Sequence, residues 1–171
     1  MTKKALILVD FEKEWIDPSS DHFVGDISDV LIRTNRLIDY ARKNGDKIIF
    51  MKHIDLKSED VFVENTESVQ FIESLHREPS DIIVEKNKIS PFYQTNLEAQ
   101  LKDIEEIIVC GILTNLCVRS LIHDAYDRDF SITVITDCCV AFDDETQSFT
   151  FKDLSATREE IEFKKVAEFI Q

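Results

Sequence analysis

Three reactive side chains are singled out by where they fall in the chain. Cys117 closes the stretch Cys110-Gly111-Ile112-Leu113-Thr114-Asn115-Leu116-Cys117, which begins where the apolar run Ile107-Ile108-Val109 ends and leads into a segment with helical spacing. A strand therefore stops here, the backbone bends at Gly111, and a helix starts at or near Cys117. A thiol at a helix N-terminus faces unpaired N–H groups and the positive end of the helix dipole, and both favour thiolate over thiol. That makes Cys117 a candidate nucleophile; its plain alternative is a small buried hydrophobe, as free cysteines often are. Asp10 follows the run Ala5-Leu6-Ile7-Leu8-Val9, and Lys86 and Lys88 follow Asp81–Val84. Alone, Asp10 reads rather as a turn or capping residue, and the lysines as solvated side chains, the common case.

The elements that must position these groups are legible from pattern. Ala5–Val9, Lys47–Met51, Asp81–Val84, Ile107–Val109 and Ile132–Ile135 are short, β-branched apolar runs of the kind buried on both faces of a parallel sheet. Between them, residues from about Ile27 to Lys43 carry apolar side chains near a 3.6 period and stop at Asn44-Gly45. Val69, Ile72 and Leu75 share one helical face, and Thr95-x-x-Glu98 is a capping box that places a helix start at Thr95. Val118, Leu121, Ile122 and Ala125 form a buried stripe after Cys117, and Asp143 and Asp144 cap a helix running to about Ser155. Ile161-Glu162-Phe163 reads as a sixth, edge strand, although Thr157-x-x-Glu160 competes as a helix start. Strand and helix alternate, so right-handed crossovers give an α/β fold: a three-layer α/β/α, Rossmann-like, mainly parallel sheet of about five to six strands. In such a sheet Asp10, Lys86 and Cys117, after the first, third and fourth strands, meet at one edge.

Composition narrows the function classes. A chain of 171 residues suits one domain, 1–171. The net charge of −14 repels polyanions, so nucleic acid and acidic membrane surfaces are poor partners. Lys3-Lys4 precede an apolar run that ends at Asp10, too short for a signal-peptide core, and no stretch approaches the ~18 apolar residues of a membrane helix. The four cysteines do not resemble a secreted disulfide framework, which makes a reducing cytoplasm the expected location. Adjacent Cys138 and Cys139 read as packing residues. The glycines are Gly25, Gly45 and Gly111 alone, so neither a Gly-x-Gly-x-x-Gly dinucleotide loop nor a Walker-type loop exists, and no cofactor is expected. The histidines are far apart and no Cys-x-x-Cys occurs, which argues against a structural zinc site.

Three pieces of the chain, in order, match one family. Leu6-Ile7-Leu8-Val9-Asp10-Phe11 resembles its apolar strand ending in a catalytic Asp. Glu85-Lys86-x-x-x-Ser90-Pro91-Phe92-x-x-Thr95 is similar to its Lys-x-x-x-Ser-Ala-Phe-x-x-Thr, a spacing that selects Lys86 over Lys88. Gly111-Ile112-Leu113-Thr114-Asn115-Leu116-Cys117-Val118, with Asp124-Ala125 downstream, resembles its Gly-x-x-Thr-x-x-Cys-Val followed by Asp-Ala. From Leu6 to about Leu154 the chain thus resembles the isochorismatase-like cysteine hydrolases, which include nicotinamidases and N-carbamoylsarcosine amidases.

The resemblance implies a triad of Asp10, Lys86 and Cys117, an oxyanion hole from the backbone N–H groups of Leu113 and Cys117, and a cis peptide between Ile112 and Leu113. It implies hydrolysis of a small amide through a thioester, and a homo-oligomer, dimer or tetramer. Trp15, His53, Phe92, Asn115 and Leu116 flank the strand ends and are the candidates for the substrate pocket. Glu12 stands where many members have Gln, Pro91 replaces Ala, and Leu113 and Asn115 are atypical in the bend. Nicotinamidases carry Asp-x-His after the second strand for a metal; here the region reads Met51-Lys52-His53-Ile54-Asp55, so no catalytic metal is expected. Two other readings stand beside amide hydrolysis: a non-catalytic relative that keeps the fold for binding or assembly, and an enol-ether hydrolase of the isochorismatase type.

Overall fold

The computed structural model describes residues 3–171. Each apolar run becomes a strand: β1 (Lys4–Val9), β2 (Lys47–His53), β3 (Ile82–Lys86), β4 (Glu106–Ile112), β5 (Ser131–Val140) and β6 (Glu162–Lys164). All pair in parallel, in the order β3-β2-β1-β4-β5-β6. Ala5–Val9, Ile49–Met51 and Ile107–Cys110 are almost without exposure, because helices and loops cover both faces of the sheet.

The helices are α1 (Ser28–Asn44), α2 (Leu97–Gln100), α3 (Arg119–Tyr126), α4 (Asp144–Thr157) and α5 (Val166–Phe169). Gly45 ends α1 in the left-handed conformation, with φ 74°. The β1-α1-β2 and β4-α3-β5 crossovers leave the sheet centre in opposite directions, so right-handedness puts α1 and α3 on opposite faces. The result is the three-layer α/β/α architecture expected. Strand order reverses between β1 and β4, where open α/β sheets hold their ligands.

Several elements differ from expectation. Val69, Ile72 and Leu75 are buried, as an apolar face should be, but residues 54–81 form no helix. They make a strap whose backbone bonds are spent on the segment after β1: Lys13 N–H donates to Gln70 O, Glu14 N–H to Ser68 O, and Ile72 N–H to Phe11 O. Helix α2 begins at Leu97 rather than Thr95, whose hydroxyl accepts the Leu97 N–H and donates to Pro91 O. Thr157 is the last residue of α4, which settles its competing role as a helix start. The fifth strand runs on to Val140 through an irregularity between Val109 and Gly111 of its neighbour. Helix α3 starts at Arg119, and Cys117 lies in a single wide turn, Thr114–Val118, ahead of it.

Candidate active site

Asp10 directly follows β1 with φ 53°, a left-handed conformation that Asp tolerates better than most residues. Val9 pairs in register with Gly111 of β4, and this contact dictates the glycine. A Cβ at position 111 would lie 2.3 Å from the Val9 carbonyl oxygen, and its φ is 144°. Only glycine lets β4 run this close to β1 immediately before the cysteine bend. Gly111→Ala is therefore expected to lower stability by about 2–3 kcal/mol, read by urea denaturation. Beyond it, the Ile112–Leu113 peptide is cis. The Leu113 carbonyl then accepts the N–H groups of Leu116 and Val118, both at 3.1 Å, which closes the wide turn around Cys117.

Lys86 is the last residue of β3, paired in register with His53 of β2. Its ammonium is fully buried and meets four partners: Asp10 Oδ2 at 2.7 Å, Cys117 Sγ at 3.3 Å, His53 Nδ1 at 3.3 Å and Lys88 O at 3.2 Å. An ammonium has three hydrogens, so the four cannot be bonded at once, and Nζ can follow negative charge from one to another. The approach to Asp10 is close but off the line of a good hydrogen bond, and both carboxylate oxygens remain without a hydrogen-bond partner. Asp10 is thus paired by charge and still able to accept a proton. Lys88 contributes only its carbonyl, and its side chain is exposed.

Burial and charge set the protonation states. Burial pulls Lys86 down, but the charges of Asp10 and Cys117 outweigh it, and the lysine titrates above its ordinary value. Burial, then the charge of Asp10, push the Cys117 thiol up to about 12, with Lys86 offsetting only part. The helix-dipole expectation of a lowered thiol is overturned. The sulfur sits in the turn ahead of α3, where desolvation and a neighbouring carboxylate exceed what a helix end supplies. His53 is lowered by burial and by Lys86.

The expected pocket residues fall in different places. His53 touches Lys86 directly. Trp15 is buried in a short 3₁₀ turn (Lys13–Ile16) and packs against Phe62, His22 and Phe142, while Phe62 in turn meets the His53 ring. Phe92 carries Arg128 over its ring at 4.3 Å, which draws it toward α3. Asn115 has a buried, unpartnered Oδ1, and Leu116 is exposed. Phe62 and His22 belong to the same aromatic wall but lie in polar loops with no periodic signature. The Lys86 loop is tied to the cysteine helix by Ser90, whose hydroxyl donates to Asp124 Oδ2 at 2.6 Å. Among the described residues no group of three or more His, Cys, Asp or Glu side chains is placed to hold a metal ion.

Known proteins share this arrangement of strands. The family described as Isochorismatase domain matches residues 4–162. The chain belongs to the isochorismatase-like hydrolase family. It is 29% identical over 154 residues to the uncharacterized isochorismatase family protein YaaI of Bacillus subtilis, covering 85% of each chain. It is 26% identical over 167 residues to Nicotinamidase 3 of Arabidopsis thaliana, covering 88% of this chain and 80% of the relative. The solved structure of a cysteine hydrolase from Pseudomonas syringae pv. phaseolicola superposes with a TM-score of 0.90 at 25% identity, over 98% of this chain and 91% of that one. For an isochorismatase-like hydrolase, the three-layer fold is the expected one.

Proposed function

We propose that this isochorismatase-like hydrolase cleaves the C–N bond of a small amide through a thioester on Cys117, without a metal. The observation that carries the reading is the buried Lys86 ammonium held between Asp10 Oδ2 and Cys117 Sγ. As the substrate carbonyl meets the sulfur, the thiol proton passes to Asp10 and Lys86 turns to the developing thiolate. The S–C bond forms, and the carbonyl oxygen becomes an oxyanion facing the N–H groups of Leu113 and Cys117. The donors on either side of Cys117, those of Leu116 and Val118, are already spent on the Leu113 carbonyl. Each oxyanion donor is worth about 3–4 kcal/mol in such a transition state. The tetrahedral species collapses, the C–N bond breaks, and Asp10 returns its proton to the leaving amine. Water then attacks the thioester with Asp10 as base, releasing the carboxylic acid and restoring the thiol.

The names of two similar proteins, a nicotinamidase and a cysteine hydrolase, support amide chemistry and a sulfur nucleophile. The missing Asp-x-His after the second strand supports a metal-free reaction. The test is to quench turnover of a panel of small primary amides in acid and weigh the protein. A mass gain equal to the acyl group, on the peptide containing Cys117 and gone in Cys117→Ala, is the expected result. A panel that is turned over equally by Cys117→Ala sinks the proposal.

A further inference from the structure

Two residues beyond Asp10, a second carboxylate is buried as completely. Glu12 has no solvent exposure. Its Oε1 accepts the His53 backbone N–H at 2.9 Å, and its Oε2 has no hydrogen-bond partner. The cations that act on it are engaged elsewhere: Lys86 with Asp10 at 2.7 Å, and Lys52 with Glu85 at 3.9 Å. Two buried carboxylates therefore share one nearby ammonium, and like charges so placed cannot both be ionised cheaply. Asp10 holds the ammonium, whereas Glu12 has one neutral N–H, so the proton belongs on Glu12.

We propose that Glu12 stands in the resting protein as the neutral carboxylic acid and acts as a positioning residue, leaving Asp10 the one negative charge against Lys86. The groups around it agree. Burial, then the charge of Asp10, hold Glu12 well above the ordinary carboxylate range, and Lys86, the His53 N–H and Lys52 offset this only in part. The His53 ring, lowered by burial and by Lys86, adds no positive charge near neutrality. Phe71 of the strap, bridged to Glu12 through the backbone, brings no charge. With Glu12 neutral and Cys117 a thiol, the charges of Asp10 and Lys86 sum to zero, and the site receives a neutral amide without a net charge. Were Glu12 ionised, Lys86 would be drawn between two carboxylates and away from the sulfur.

The sign of the stability change follows. A folded-state value raised above 4.5 contributes stability that is present below 4.5 and lost as pH rises through the folded value. Glutamine keeps the shape and hydrogen-bond pattern of the neutral acid and has no such proton to lose.

Carboxyl ¹³C NMR of the whole chain tests this whether or not it turns over an amide. The Glu12 Cδ resonance, assigned through its own Cγ, should sit at a neutral-acid shift at pH 7 and move to the carboxylate shift only on going alkaline. The Lys86 Cε resonance should move in step with it. The melting-temperature gap between Glu12→Gln and the parent should shift by several degrees in favour of Glu12→Gln as pH rises. A carboxylate shift for Glu12 at pH 7 overturns the proposal, and so does a Lys86 resonance that ignores the Glu12 step. Both are read on the parent chain, so they decide the matter even if Glu12→Gln does not fold.

Discussion

Asp10→Asn is expected to make Cys117 react faster with iodoacetamide while slowing amide hydrolysis by roughly 10³-fold. The opposite signs come from the two jobs the carboxylate does. At rest its charge, after burial, holds the thiol up to about 12. A thiol titrating there is ionised to only ~10⁻⁵ at pH 7, against a few per cent for a free cysteine. Removing the carboxylate charge leaves the Lys86 ammonium buried without its partner at 2.7 Å, and the sulfur 3.3 Å away becomes the anion it can recruit. Alkylation at pH 7 should therefore rise roughly tenfold or more. In the proposed reaction the carboxylate takes the thiol proton during attack and returns it to the leaving amine, and asparagine can do neither. Parallel measurement of labelling rate and kcat/KM separates this from a site in which Asp10 only supports structure, where both rates would fall together.

The parts of this site that were legible in the sequence are those written locally. A buried strand that ends in Asp10, a short strand before Lys86 and a bend at Gly111 each carry their own pattern, and parallel topology then brings their ends together. What was not legible depends on distant backbone. The spacing of Val69, Ile72 and Leu75 implied a helix because nothing nearby names Phe11 and Lys13 as the partners of that strap. The same strap bridges to Glu12 through Phe71. The ionisation of Cys117 is hidden from the sequence for a related reason. A helix end is visible in sequence, whereas the desolvation that outweighs it comes from the surrounding fold and the carboxylate from β1, far away in the chain. Local pattern thus places Asp10, Lys86 and Cys117 at neighbouring strand ends, and the upward shift of the thiol follows only from the packing.

That packing gives the Lys86 and Asp10 pair a signature in stability as well as in activity. Their side chains are 0% and 1% exposed. Lys86→Met should cost about 3–5 kcal/mol, because it strands the Asp10 carboxylate in the interior, and should also slow hydrolysis by roughly 10³-fold. Adding Asp10→Asn to Lys86→Met removes the stranded charge. Stability should then return to within about 1 kcal/mol of the parent, because a buried ion pair contributes little net stability over neutral residues of similar size. Hydrolysis should not return, since the double variant has neither the proton acceptor nor the cation for the thiolate. The pH dependence adds a check. Lys86 titrates above its ordinary 10.5, so its contribution is complete below that value and is lost as pH rises through the folded-state value. The gap in urea stability between the parent and Lys86→Met should hold from neutrality to about pH 10 and narrow above it. If the double variant were no more stable than Lys86→Met, the pair would not be the buried, mutually compensating one that its geometry indicates. If the double variant hydrolysed amides at the parent's rate, the chemistry would have to lie elsewhere in the fold.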